Sequence, residues 1–364
     1  MRYGGGARLD ESQGRRATVS FGRPACRLKA AFRASVERRL QAAEKNSVVR
    51  LSGHEPLSQG RGGKSGLHFG AVPALLGPSM KALLSLALVM PVAGGLLAQD
   101  AANPTGPAEK LGWKVAMHAY TFKEFPIAQA IDKTAALGLK YMSLSGSVNL
   151  DGQRKPRTID LTDEEMGAIV KRVHDAGIKL VNIGVVQLPP EEAKSRQVFD
   201  FAKKWGIDTL VAEPEPSALD VVEKLCKEYN IKVAIHNHPR PSRYWNPDTV
   251  LAAVKDRSPL LGACADTGHW MRSGLDPVQC LSKLEGRVIC LHFKDLAERT
   301  RNTHDVPWGV GVGDVKGMMT ELKRQGFHGV FGIEYESDWL NSSPAIAQGI
   351  RYFYATCAEL AAGQ

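Results

Sequence analysis

Beyond residue 113, short apolar runs alternate with longer segments whose apolar side chains recur every three or four positions, the patterns of buried strands and amphipathic helices. Residues 114–120 read as a strand and 126–137 as a helix that Gly138 stops. Residues 141–144 precede a helix at 162–176, opened by Thr162 and Glu165 at capping-box spacing and ended by Gly177. Residues 179–185 precede 190–205, with Gly206 as the stop; 209–212 precede 218–229, and 232–235 precede 247–255. The last three pairs are 261–265 with 277–284, 288–291 with 315–324, and 329–333 with 344–362. Eight strand–helix pairs fit an α/β chain folded as a (β/α)₈ TIM barrel, whose usual length is about 250 residues. The strands are unbroken apolar runs, as in a parallel sheet covered by helices. No glycine-rich phosphate loop follows the first strand, which favours a closed barrel over an open, doubly wound dinucleotide-binding sheet.

Barrels of this kind carry their chemistry at the carboxyl ends of the strands. Here strand four ends in Ala212-Glu213-Pro214-Glu215, strand five in His236-Asn237-His238 and strand six in Asp266-Thr267-Gly268-His269. Strand seven ends in His292-Phe293-Lys294-Asp295 and strand eight in Glu334-Tyr335-Glu336. One histidine or carboxylate in such a place is ordinarily a loop residue with a hydrogen-bonding partner. Five successive strands ending this way are different, because charges turned into a barrel mouth are costly to desolvate unless they pair or bind a cation.

These stretches resemble the xylose-isomerase-like, or sugar phosphate isomerase/epimerase, barrels over residues 113–360, most closely at 265–269, 291–295 and 332–336. The resemblance implies one divalent metal ion held by Glu, Asp, His and Glu on the last four strands. Asp266, His292 and Glu334 match the last three, and His236 stands where the first glutamate is expected. A neutral imidazole can replace a carboxylate, so His236, Asp266, His292 and Glu334 are the expected metal ligands. A mechanism in which two metal-bound glutamates exchange a proton across a sugar is thereby put in question, and Glu213, one strand earlier, is the candidate to supply the missing carboxylate as ligand or base. His269 matches a histidine that contacts a substrate oxygen. A mixed His/Asp/Glu set suits Mn²⁺ or Zn²⁺ first and Co²⁺ or Fe²⁺ next, better than Mg²⁺ or Ca²⁺.

A divalent cation chelating a sugar carbonyl and its neighbouring hydroxyl acidifies the C–H between them. The candidate catalytic residues are then Glu213 and Glu334 as base, with His238, His269 and Lys294 as partners of the developing oxyanion. Lys294 equally fits a salt bridge to Asp295 or another rim carboxylate, and Asn237 and Arg272 fit either substrate binding or loop support. Tyr120, Phe122, Trp270, Trp308, Tyr335 and Trp339 lie near the rim, as sugar-stacking or packing residues. Residues 297–313, with His304, Trp308 and glycines at 309, 311 and 313, read as a mobile lid or a long surface loop. The expected activity is a metal-dependent sugar isomerase or epimerase working through an enediolate. A keto-sugar or 3-keto-glycoside lyase or hydratase is the alternative; a non-catalytic sugar-binding barrel and an AP-endonuclease-type nuclease rank lower.

Charge argues against the nuclease. The chain carries 47 Lys+Arg against 38 Asp+Glu, but residues 1–79 alone hold 14 against 5, leaving 33 of each from residue 80 onward. A net-neutral barrel lacks the basic groove that DNA requires, so a small-molecule sugar or glycoside is the expected partner and nucleic acid is not. Residues 1–79 are Arg-rich, punctuated by Gly and Ser, and read as a disordered basic extension. Met80-Lys81, the apolar run 82–97 and Ala98-Gln99-Asp100 have the order of a secretory signal peptide. Residues 80–98 are therefore expected to be a signal peptide, with the true start at Met80 and a periplasmic or secreted protein. Pro91, Gly94 and Gly95 interrupt the run, which is too short and broken for stable membrane insertion. Residues 99–111 follow as a linker and 112–364 as the barrel. The six cysteines, Cys26, Cys226, Cys264, Cys280, Cys290 and Cys357, form no CxxC pair and read as small buried apolar residues.

Overall fold

A computed structural model describes residues 105–363. The basic extension, the signal segment and residues 99–104 of the linker lie outside the described residues.

Eight parallel strands close into a barrel: β1 (Trp113–His118), β2 (Tyr141–Ser145), β3 (Lys179–Val186), β4 (Thr209–Ala212), β5 (Lys232–His236), β6 (Leu261–Asp266), β7 (Val288–Phe293) and β8 (Gly329–Ile333). Each pairs with the next, and β8 closes on β1 with Trp113 opposite Gly329 and Met117 opposite Ile333. The helices are α1 (Gly106–Lys110), α2 (Ile127–Ala136), α3 (Asp163–Asp175), α4 (Glu192–Lys204), α5 (Leu219–Tyr229), α6 (Pro247–Val254), α7 (Thr267–Arg272), α8 (Pro277–Lys283), α9 (Val315–Arg324) and α10 (Ser343–Ala362). All eight expected strand–helix pairs form. Local chemistry sets their ends: at α3 the Thr162 hydroxyl accepts from the Glu165 N–H at 3.2 Å, while the Glu165 carboxylate accepts from the Thr162 N–H at 3.0 Å. Met166, Ile169 and Val173 make the buried stripe of that helix. Gly177 leaves it at φ +69°, a left-handed conformation that a side chain would strain.

Three elements differ from the sequence expectation. Residues 106–110, within the expected linker, form α1 and pack on α10, because Pro107 starts the turn and is buried with Ala108. The first strand stops at His118, and Ala119–Phe122 coils into a 3₁₀ turn. Residues 295–306 contain an antiparallel ribbon, Asp295–Leu296 against Asp305–Val306.

Side chains alternate along each strand, so Ala234, Cys264 and Cys290 share the inward face of His236, Asp266 and His292, two residues below them. Together with Val211 they form a small buried cluster packed against Val185, Ile289 and Val330. This apolar plug is the floor beneath the barrel mouth. All five described cysteines are buried free thiols. Among the described residues no helix is long and apolar enough to cross a membrane.

Candidate metal centre and pocket

Ladder hydrogen bonds stop at the strand ends, so the backbone there must find other partners. Three side-chain clamps supply them. The Asn237 amide donates to the Asp266 carbonyl (2.9 Å) and accepts from the Asp266 N–H (2.8 Å). The Thr267 hydroxyl donates to the Lys294 carbonyl (2.9 Å) and accepts from the Lys294 N–H (2.8 Å). The Thr121 hydroxyl donates to the Ile333 carbonyl and accepts from the Tyr335 N–H, both at 3.0 Å, bracketing Glu334. Asn237 is thus a strand-end support, the structural one of its two expected roles.

Held in this way, His236, Asp266, His292 and Glu334 converge, all four buried, with one donor atom from each lying within 4.8 Å of the others. His236 Nε2 is 3.6 Å from Asp266 Oδ2, and His292 Nδ1 is 3.9 Å from Asp266 Oδ2 and 3.0 Å from Glu334 Oε2. Donors about 2.1 Å from an ion at tetrahedral angles stand about 3.4 Å apart, and these three separations of 3.0–3.9 Å bracket that value. The donor chemistry also fits. His236 Nε2 is buried without a hydrogen-bond partner, and the opposite nitrogen, Nδ1, lies 3.0 Å from Glu213 Oε1. A carboxylate on Nδ1 fixes the tautomer that leaves the Nε2 lone pair free for a cation. Asp266 caps α7, its Oδ1 accepting from the His269 N–H at 2.7 Å, which leaves Oδ2 to face the cluster.

Lys294 is buried in the same knot. Its Nζ lies 2.9 Å from Asp266 Oδ2, 2.8 Å from Glu334 Oε2 and 2.9 Å from Glu336 Oε2. Its partners are therefore Asp266, Glu334 and Glu336, not Asp295. Asp295 turns the other way and accepts the N–H groups of Gly309, Gly311 and Gly313, each at 2.9 Å. That carboxylate pins the 297–313 segment to the strand end. Arg272 donates to Asp305 Oδ1 at 2.5 Å and to Glu336 Oε2 at 3.0 Å.

The electrostatics follow from burial and neighbours. Burial would push Asp266 and Glu334 up, but His269 and Lys294 beside the first, and Lys294 and His292 beside the second, hold both well below the usual carboxylate range. Burial also opposes ionisation of Glu213, yet His236 and His238 together hold it down at about 2. For His236 burial is outweighed by Asp266 and Glu213, which raise it to about 9. Burial, above all, keeps His269 well below its usual value. Arg272 Nη1 lies 3.2 Å from His269 Nδ1 and can only donate, so neutral His269 carries its proton on Nε2.

A pocket of about 380 Å³ covers the cluster. Its lining includes His118, His236, His238, His269, Glu334 and Glu336 together with Tyr120, Arg157 and Gln187. His238 is half-exposed at this wall, with its Nδ1 hydrogen-bonded to Glu213 Oε1. Of the other rim aromatics, Trp270, Trp308 and Phe122 are buried packing residues, while Tyr120 meets Trp339 edge-on at 5.7 Å. His118 is a site residue that the sequence pattern passed over. It ends β1, lies 3.5 Å from Glu334 Oε1 and packs its ring 4.5 Å from His292. Burial and then His292 push it down to about 3. The available signal was a polar residue ending an apolar strand, the same signal that marked the later strands.

A closed parallel barrel with a His/Asp/His/Glu cluster at the carboxyl ends of β5 to β8 defines the class: a TIM barrel whose carboxyl face carries a set of side chains that could hold a metal. The chain belongs to the xylose isomerase-like TIM barrel family, whose sequence profile matches residues 108–356. It is 35% identical to an uncharacterised protein of Parabacteroides distasonis ATCC 8503, covering 66% of this chain and 98% of that one, with a TM-score of 0.53. It is 20% identical to the inosose dehydratase of Lacticaseibacillus casei, over 61% of this chain and 86% of the relative. A xylose isomerase-like barrel from Mycobacterium smegmatis, solved in complex with magnesium, shares the fold at 15% identity and a TM-score of 0.54, covering 68% of this chain and 97% of that one.

Proposed function

We propose that this chain is a divalent-metal-dependent enzyme that removes the proton beside the carbonyl of a keto-sugar and then expels a β-substituent, a lyase of the dehydratase kind. His236, Asp266, His292 and Glu334 would hold the cation, with Mn²⁺ or Zn²⁺ favoured by the two imidazoles. When bound, the cation supplies polarisation of the sugar carbonyl, which acidifies the adjacent C–H.

One observation carries the choice of outcome. Glu334 belongs to the convergent four-residue cluster and also lines the pocket, whereas Glu213 is not among the pocket-lining residues and its Oε1 is taken by His236 and His238. Glu336 also lines the pocket but is paired with Lys294 and Arg272, so Glu334 is taken as the one carboxylate base, and elimination needs only one. Glu334 takes the proton. His269 donates its Nε2–H to the oxygen on which charge develops. His238, held by Glu213, stands at the pocket wall to protonate the departing group. Glu213 then acts as a positioning carboxylate for both histidines. The relatives named inosose dehydratase support elimination as the outcome.

Isomerisation on one face is the second reading, because the His269 Nε2–H beside the cluster could serve both oxygens of an aldose–ketose pair. Incubation of Mn²⁺- or Zn²⁺-loaded protein with keto-sugars and keto-glycosides in D₂O separates the readings. Elimination gives an unsaturated product and a released substituent; isomerisation gives an intact sugar deuterated beside the carbonyl. The absence of both deuterium exchange and product across the panel would refute the proton abstraction common to both.

A further inference from the structure

A second cavity, of about 160 Å³, opens beside the main pocket and shares Tyr120, Ser145 and Ser147 with it. Phe122, Phe125 and Val148 give it an apolar wall, and Lys123 and Lys155 also line it. Among the described residues, neither lysine has a carboxylate partner. The Lys123 ammonium instead lies 3.8 Å from the Trp339 ring centre and 4.5 Å from that of Tyr120, and donates to the Tyr120 hydroxyl at 3.2 Å. Aromatic faces hold a cation in place without neutralising it, so its charge stays available to a ligand. Arg157, on the wall of the main pocket, is by contrast already paired with both oxygens of Asp160 at 2.6 and 2.7 Å.

Volume and charge together point to an occupant. The main pocket alone falls within the range of about 300–1,000 Å³ that encloses a small ligand, so a single sugar ring has no need of the side cavity. We propose that the side cavity is a second subsite for the same substrate, and that it takes a carboxylate-bearing ring of uronate type. The substrate class is then an acidic glycoside, with the ring that carries the carbonyl over the ligand cluster and the acidic ring against Lys123 and Lys155. This rests on the sugar reading above and adds the substrate's second half.

The test is calorimetric titration of the metal-loaded full chain with cellobiose, with cellobiouronic acid (the same disaccharide with a uronate ring) and with free glucuronate. Cellobiouronic acid should bind about tenfold more tightly than either of the others, and the preference should shrink as salt is raised. Lys155→Met and Lys123→Met should each weaken cellobiouronic acid about three- to fivefold, the scale of partly exposed ion pairs, and leave cellobiose unchanged. Lys123→Arg should restore binding, since a guanidinium also stacks on Tyr120 and Trp339. Equal affinity for the two disaccharides, or equal weakening of both by the methionine variants, overturns the proposal. So does binding of the acidic disaccharide no tighter than glucuronate. The outcomes separate the two ideas: tight acidic-disaccharide binding without proton exchange on any keto-sugar leaves the subsite and removes the lyase. Exchange without an acidic preference does the reverse.

Discussion

Lys294→Met removes the ammonium that three carboxylates share while keeping an unbranched stem against Gly268. The three contacts, at 2.8–2.9 Å, are each worth about 6 kcal/mol of gross attraction at an effective dielectric of 20. Desolvation of a fully buried lysine cancels most of that, and breaking a buried ionic group by removing one partner typically costs about 3–5 kcal/mol. At about 2–4 °C per kcal/mol for a chain of this size, the metal-free variant should melt roughly 6–20 °C below the parent. A cation at the ligand cluster meets Asp266 and Glu334 in competition with Lys294, so the variant should gain more from metal. Melting would be followed by circular dichroism after EDTA treatment and again with Mn²⁺ or Zn²⁺ added. The upward shift should be larger for Lys294→Met than for the parent at equal metal concentration. An unchanged metal-free melting temperature, or a smaller shift in the variant, would refute the idea that ammonium and metal share these carboxylates.

Glu213→Gln should bind metal about 10–100-fold more weakly, as loss of an orienting carboxylate typically does, yet retain deuterium exchange once saturated. Glu334→Gln should lose both; a saturated Glu213→Gln protein without exchange would instead make Glu213 the base. Gly268→Ala places a methyl 2.7 Å from Lys294 Cδ and 2.9 Å from its Cβ, so chemical denaturation should show about 1–3 kcal/mol of overpacking loss. Burial raises the Cys226, Cys280 and Cys357 thiols to about 12. In the native protein at pH 8.5, peptide mapping after iodoacetamide should therefore find them unlabelled. Because the unfolded thiols ionise near 9 and the folded ones near 12, the unfolded chain binds fewer protons in that window, and stability should fall as pH rises from about 9.

The barrel was legible because its signals are local and repeat. Apolar runs of strand length, the Thr162–Glu165 cap and stops such as Gly177 each act within a few residues, and all formed. The four-ligand cluster was legible because β5 to β8 each carry a polar residue at the same place on an apolar strand. Other features depend on contacts between distant segments. His118 was hidden by the apolar run continuing into Ala119, which made the strand look two residues longer. Glu213 was visible as a carboxylate, but its commitment to His236 and His238 depends on the register of β4 against β5. Lys294 could have paired with Asp295 next to it; the strand alternation that turns neighbours to opposite sides sent one to the ligand cluster and the other to the glycine loop.

The histidine at the end of β5 changes what the site can do more than what it can hold. Were position 236 a glutamate, it would bring a negative charge and a potential base directly to the cluster. His236 brings neither, but Glu213 stands 3.0 Å behind its Nδ1, so once His236 gives up its extra proton to ligate a cation the pair together carries one negative charge. Electrostatic attraction for a divalent ion is therefore kept, with the charge moved one layer outward. Under the proposed reading this carboxylate, which lies against two histidines, orients them and does not act as the base. The charges around the cluster agree: Asp266, Glu334, Glu336, Asp305 and Glu213 surround it against Lys294 and Arg272, and a divalent cation redresses most of that excess. A site with this donor set keeps what a divalent ion needs, and under the proposed reading it does without proton transfer on two opposed faces. That is the physical ground for reading it as a one-base enzyme.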